Sequence, residues 1–127
     1  MRLLLDTHTF LWWLAGDARL SPPAFAAIDD PANSVHVSVA SAWEIATKQR
    51  LGRLDAPVLN GRILAAITQQ GFCPLDIRTE HAERAGAMHA RLQDPFDRLL
   101  AAQAQAENMT IVSDQSVFDR YSIPRLW

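Results

Sequence analysis

The residues best placed to do chemistry are acids. Asp6 closes the apolar run Leu3-Leu4-Leu5, and Asp114 follows Thr110-Ile111-Val112, so each stands just beyond a candidate strand. A carboxylate there can cap a following helix by accepting its free backbone N–H groups, or it can help ligate a hard divalent cation. Ser113 offers an alternative cap beside Asp114. Ser41-Ala42-Trp43-Glu44 fits the S-x-x-E capping box. The alternation of Val35, Val37 and Val39 makes Ser38 the better helix start, which leaves Glu44 well inside the helix beside Trp43, Ile45 and Ala46. An acid in that setting needs a partner, because burying an unpaired carboxylate costs on the order of several kcal/mol. Lys48, one turn further on, can be that partner, and a metal ion is the other reading. Asp94 directly precedes Pro95 and suits an N-cap with proline at the first helical position. Asp97, in the first turn, suits the helix dipole and is the better ligand candidate of the two.

Other reactive types form no comparable set. His8, His36, His81 and His89 lack zinc-site spacing, and Cys73, the sole cysteine, excludes both an intrachain disulfide and a thiolate cluster. There is no glycine-rich phosphate loop and no G-x-S-x-G elbow. Trp12 and Trp13 are consecutive and cannot share one helix face, so one is expected to pack inside and the other to mark a rim or partner surface.

The elements that must position these acids follow from periodicity and punctuation. A helical pattern over 7–15 ends at Gly16. Ser21-Pro22-Pro23 opens a second helix that Asp30-Pro31 closes. The valine strand enters a third helix, which stops at Gly52. A helix over 59–70 ends at Gly71, a short strand covers 72–75, and Thr79 caps a helix running to about 91. Asp94-Pro95 starts a helix ended by Asn108, and 110–112 is a buried strand. A turn of helix near Val117 and the segment Ser122-Ile123-Pro124 complete the pattern. Strands alternating with helices give an α/β class, with a parallel sheet covered on both faces and right-handed crossovers. Sites in such sheets form outside the carboxyl ends of the strands, where Asp6 and Asp114 would stand.

The 127 residues fit one domain over 1–127, long enough to bury roughly two-thirds of its unfolded surface. An apolar fraction of 49% and a charged fraction of 20% argue against extensive disorder. Twelve basic against fourteen acidic side chains give a net charge of −2, which excludes a strongly basic, charge-driven nucleic-acid binder. The apolar start is interrupted by Asp6, Thr7 and His8, so it reads as part of the fold, with no membrane span and a cytoplasmic setting expected.

Taken together, LLLDTHTFLWWL, SVASAWEIATKQRLGRL and DPFDRLLAAQAQAENMTIVSD resemble the PIN-domain nucleases, above all the VapC-type toxins of bacterial toxin–antitoxin pairs. The resemblance runs from residue 3 to about 121 and is loose over 55–88. It implies a single three-layer domain with a parallel five-stranded sheet in the order 3-2-1-4-5. It implies an acidic metal site on Asp6 of LLLDTH, Glu44 of SAWEIA, Asp97 of DPFDRLL and Asp114 of VSD. It also implies hydrolysis of RNA, often tRNA or rRNA, a VapB-type antitoxin covering the acidic cleft by a helix and an arm with a basic residue, and a homodimer. One departure stands out: many relatives carry a histidine and a basic residue just before DPFDR, where this chain has Leu92 and Gln93. That departure bears on substrate contacts more than on the acids.

Four acids suit phosphodiester hydrolysis because Mg²⁺ or Mn²⁺ prefers carboxylate and water to thiolate or imidazole. Such an ion lowers the pKa of bound water and clamps phosphate oxygens. Arg98 and Lys48 flank proposed ligands and are candidate phosphate contacts, with salt-bridge or solvated roles as the alternative. Two other classes remain. An aspartyl-phosphate phosphatase needs a second acid two residues after the first, and His8 stands there. A non-catalytic PIN-like module would have lost acids that this chain keeps.

Overall fold

A computed structural model describes residues 1–89 and 94–127. Its five strands are β1 (Arg2–Leu5), β2 (Ser34–Ser38), β3 (Cys73–Leu75), β4 (Thr110–Val112) and β5 (Arg125–Leu126). All pair in parallel in the order β3-β2-β1-β4-β5, as the resemblance implies. β1 is central: Leu3 faces Val35 on one side and Thr110 on the other. Six helices connect the strands: α1 (Thr7–Ala15), α2 (Pro22–Asp29), α3 (Val39–Arg50), α4 (Ile63–Gln69), α5 (Thr79–Ala87) and α6 (Pro95–Glu107).

Period-two alternation sorts the core into two layers. Leu3, Leu5, Val35, Val37 and Val112 pack with Phe10, Ala24, Ile45 and Ile67 of α1 to α4 on one face. Leu4 and Ile111 point the other way, onto Leu100, Ala101 and Ala104 of α6. The leucines of β1 are fully buried, each worth roughly 1.5–3 kcal/mol of transfer free energy. A run of three leucines is therefore what a strand covered on both sides requires.

Most boundaries match their sequence signals. Ser21, Ser38 and Asp94 cap α2, α3 and α6 through side-chain oxygens, and Gly16 ends α1 in the left-handed conformation. Asn108 ends α6 the same way, at φ 53°. The helix start expected at Ser38 is the one observed, with Val39 as the first residue of α3 and the Ser38 hydroxyl accepting from the Ala40 N–H. Three expectations are corrected. The helix expected over 59–70 is split: Pro57–Leu59 forms a 3-10 turn and α4 begins only at Ile63. α5 ends at Ala87, where Met88 turns extended, and its N-cap is Arg78, whose N–H donates to His81 Nδ1, instead of Thr79. Trp12 and Trp13 are both half-buried, since each packs edgewise against other rings: Trp12 on Trp127, Trp13 on Phe25 and Phe72. Leu92 and Gln93 lie outside the described residues. Among the described residues no helix is long and apolar enough to cross a membrane.

Candidate active site

Asp6 sits where β1 hands over to α1, at the carboxyl end of the central strand, and it is nearly fully buried. Its backbone N–H donates to the Val112 carbonyl at 3.1 Å, which ties it to the end of β4. Both side-chain oxygens are held: the His8 N–H donates to Oδ1 at 2.9 Å and the Ser113 hydroxyl donates to Oδ2 at 2.6 Å. The capping reading of Asp6 is therefore correct, and it fixes the carboxylate at the sheet's edge. Burial pushes its pKa up, with Asp114 adding to the rise, while the bonds from Ser113 and His8 oppose it.

Glu44 is buried on α3 with both oxygens engaged. Thr7 donates to Oε1 and Lys48 to Oε2, each at 2.6 Å. Thr7 Oγ1 has one proton, given to the carboxylate, so the Ser41 hydroxyl 2.9 Å away can donate to Thr7. The ion pair expected from the i,i+4 spacing is present, and the site geometry exists alongside it. α3 itself is anchored by Ser38, which hydrogen-bonds the fully buried Gln103 of α6; Gln103 in turn donates to the Asp76 carbonyl beyond β3 at 3.1 Å. One glutamine thus stitches three elements together at the carboxyl end of the sheet.

Asp94 does the capping on α6, accepting from the N–H groups of Phe96 and Asp97 at 2.8 and 3.2 Å. That leaves the Asp97 side chain uncommitted. Its pKa is pushed up to about 7, chiefly by burial, then by the charges of Asp94, Asp6 and Glu44, with Lys48 offsetting part of the rise. Asp114 is exposed and close enough to raise the pKa of Asp6. Among the described residues, neither the Asp97 nor the Asp114 carboxylate has a hydrogen-bond or ion-pair partner.

The fold thus brings Asp97 into the field of Asp6 and Glu44, and Asp6 into that of Asp114. The donor set is all oxygen and short of countercharge, which fits a hard divalent cation. No three of these acids offer oxygens all within 4.8 Å of one another. The group that does close to that distance is Glu80, His81 and Glu107, about 15 Å along α6 from Asp97. There His81 Nδ1 accepts from the Arg78 N–H, so Nε2 carries the proton that it donates to Glu107 at 2.9 Å. Arg78 lies 3.5 Å from Glu80 and 3.9 Å from Glu107, and Arg2 acts on Glu107 as a second positive charge, so two cations answer the two carboxylates there.

A family model, the PIN domain, matches residues 3–124. The chain belongs to the PIN domain family. Among solved structures, this PIN domain is similar to DNA-bound VapBC from Salmonella typhimurium (16% identity, TM-score 0.72, 98% of this chain and 96% of that one). It is similar also to VapBC2 from Rickettsia felis bound to a promoter DNA fragment (16% identity, TM-score 0.67, 98% and 97%). A third is VapBC-1 from nontypeable Haemophilus influenzae (13% identity, TM-score 0.64, 98% and 96%). At these identities the likeness is one of fold. No curated protein matches the sequence.

Sequence reasoning left out the hydroxyls that hold the acids. Thr7 could have been found as the residue directly after Asp6, and Ser41 as the residue one turn before Glu44 on the same helix face. Arg98 is corrected: its guanidinium donates to the carbonyls of Ala85 and Met88, closing the end of α5, because those orphan carbonyls lie against α6. Lys48 is spent on Glu44.

Proposed function

We propose that this PIN domain is a metal-dependent endoribonuclease toxin of the VapC type, restrained by a cognate antitoxin. The observation that carries this reading is Asp97: a carboxyl in the field of Asp94, Asp6 and Glu44, pushed up to about 7 by burial and then by those charges, with no hydrogen-bond or ion-pair partner among the described residues. Asp6, Glu44, Asp97 and Asp114 are the residues that would hold Mg²⁺ or Mn²⁺, which when bound supplies an activated water and charge stabilisation at the phosphate. The chain's own part is positional. Ser113 and the His8 N–H fix Asp6, and Thr7 and Lys48 fix Glu44, so the acids face one cleft. The raised pKa of Asp97 means that a proton competes with the metal for it more than it would at a free carboxylate.

The substrate class is RNA, tRNA or rRNA, with single-stranded loops as targets because their bases can be splayed. The structural neighbours described as VapBC, and a toxin–antitoxin complex from Klebsiella pneumoniae, support an antitoxin partner. A groove of about 470 Å³ beside His8, lined by Leu11, Trp12, Leu14, Leu54, Val58 and Leu59, is the seat for its apolar helix. A homodimer in the cytoplasm completes the reading.

Purified free of antitoxin, the protein is expected to cleave total RNA with Mg²⁺ or Mn²⁺ and to stop when the metal is chelated. Chelator-resistant cleavage would mark a contaminating nuclease and remove the proposal's support.

A further inference from the structure

We infer that Trp43, braced by Phe96, is a stacking surface for a nucleobase of single-stranded RNA next to the phosphate held at the acids; this rests on the nuclease reading above. Trp43 and Glu44 are consecutive on α3, and Phe96 and Asp97 are consecutive on α6. The packing of α3 on α6 that brings Glu44 into the field of Asp97 also brings the Trp43 ring onto Phe96, edge to face, with centroids 5.0 Å apart and planes at 74°. Phe96 is half-buried, while Trp43 is 59% exposed, the most exposed aromatic ring on the described surface. An indole left in water gains nothing for the core, yet this one is held in place by a T-shaped contact.

The charge inventory gives that surface a purpose. The chain is net acidic, and both cations flanking the acids are committed, Lys48 to Glu44 and Arg98 to the carbonyls ending α5. Among the described residues these two cations therefore add little phosphate attraction, and single-strand binding gains from base faces. Consecutive helix residues diverge by about 100°, so the Trp43 ring stands at the exposed rim while Glu44 is buried behind it, and one ribose separates a base on that rim from its phosphate at the acids. Stacking accepts any base, so this site would grip and orient the strand while leaving sequence choice to other contacts.

The test measures binding separately from cleavage. In an Asp6→Asn background with Mg²⁺, fluorescence anisotropy compares a labelled hexa-adenylate with a ribose-phosphate hexamer that lacks bases. The base-bearing strand is expected to bind about tenfold tighter, Trp43→Ala to erase that ratio, and Trp43→Phe to keep most of it. A ratio near one in the parent protein, or a ratio unchanged by Trp43→Ala, overturns the inference. So does a change in sedimentation of Trp43→Ala with the ratio intact, which would make the ring a protein contact. Metal-dependent cleavage of total RNA by the unmodified protein is followed in parallel: cleavage with no Trp43-dependent ratio sinks the stacking site alone. A Trp43-dependent ratio with no cleavage sinks the nuclease reading alone.

Discussion

Helix α6 carries an acidic cluster at each end, and the two are handled in opposite ways. At its C-terminal end, Glu107 accepts from His81 and lies near Arg78, and its pKa is held below the ordinary value by that bond and those charges. At its N-terminal end, Asp97 faces Asp6 and Glu44 with only the distant help of Lys48, and its pKa climbs to about 7. The first cluster joins α5 to α6 and is complete as folded. The second holds acids without matching partners among the described residues, the imbalance that the proposed cation site would use. Glu80, His81 and Glu107 are nevertheless the tighter group, so proximity and charge balance single out different ends.

The strongest way to break this contrast is Asp6→Asn. Removing a group one layer behind a metal costs on the order of ten- to a hundredfold, so loss of Asp6 itself is expected to lower RNA cleavage by at least about a hundredfold. The melting temperature should hold or rise, because the amide oxygen can still accept from the His8 N–H while the amide NH2 donates to the Ser113 hydroxyl oxygen, and one repelling charge is gone. Unchanged cleavage would remove Asp6 from the site. His81→Leu attacks the other end. It strands the Arg78 N–H and Glu107, so denaturant unfolding should show a loss of about 1–3 kcal/mol. Activity per folded molecule should stay as it was; a matching loss of activity would mean that the two ends are coupled.

Much of this layout was legible in the sequence. Caps and stops are local, so Ser21, Ser38, Gly16, Asp94 and Asn108 announced their roles through their neighbours alone. β5 was not legible as a strand from its residues, because two residues carry no period; it is held by backbone bonds from Ile111 to Pro124 and from Ser113 to Leu126. Arg98 was misjudged for a related reason: its carbonyl partners lie 13 and 10 residues upstream, a distance at which helical spacing is silent. The acids were individually ambiguous, and only the fold shows that Asp6 caps α1 and Glu44 pairs with Lys48 while both still act on the charge of Asp97.

Lys48→Met sharpens the contrast by making the N-terminal cluster still less balanced. One unit of Coulomb attraction near water is about 1 kcal/mol at 4 Å, so Mn²⁺ should bind roughly fivefold tighter by calorimetry. Weaker binding would show that Lys48 positions Glu44 more than it screens it. The smallest effect is in the pH profile of stability under chelation. The Asp97 carboxyl is at about 7 when folded against 3.8 for the free group, so its contribution is complete below about pH 4 and disappears as the pH rises through 7. Glu107 has the opposite sign: its contribution is present above 4.5 and lost only in more acid solution. Between pH 5 and 7.5 the melting temperature should therefore fall gently with rising pH, and Asp97→Asn should flatten that slope. A slope unchanged in the variant would assign it to another group.

The Ser113 hydroxyl reaches Asp6 across 107 residues of chain, and the strand that bears Asp6 has β4 as an immediate neighbour. The end of β1 is therefore locked only once a segment far along the chain has paired beside it, so the position of the Asp6 carboxylate is a property of the assembled sheet and not of its own strand and helix.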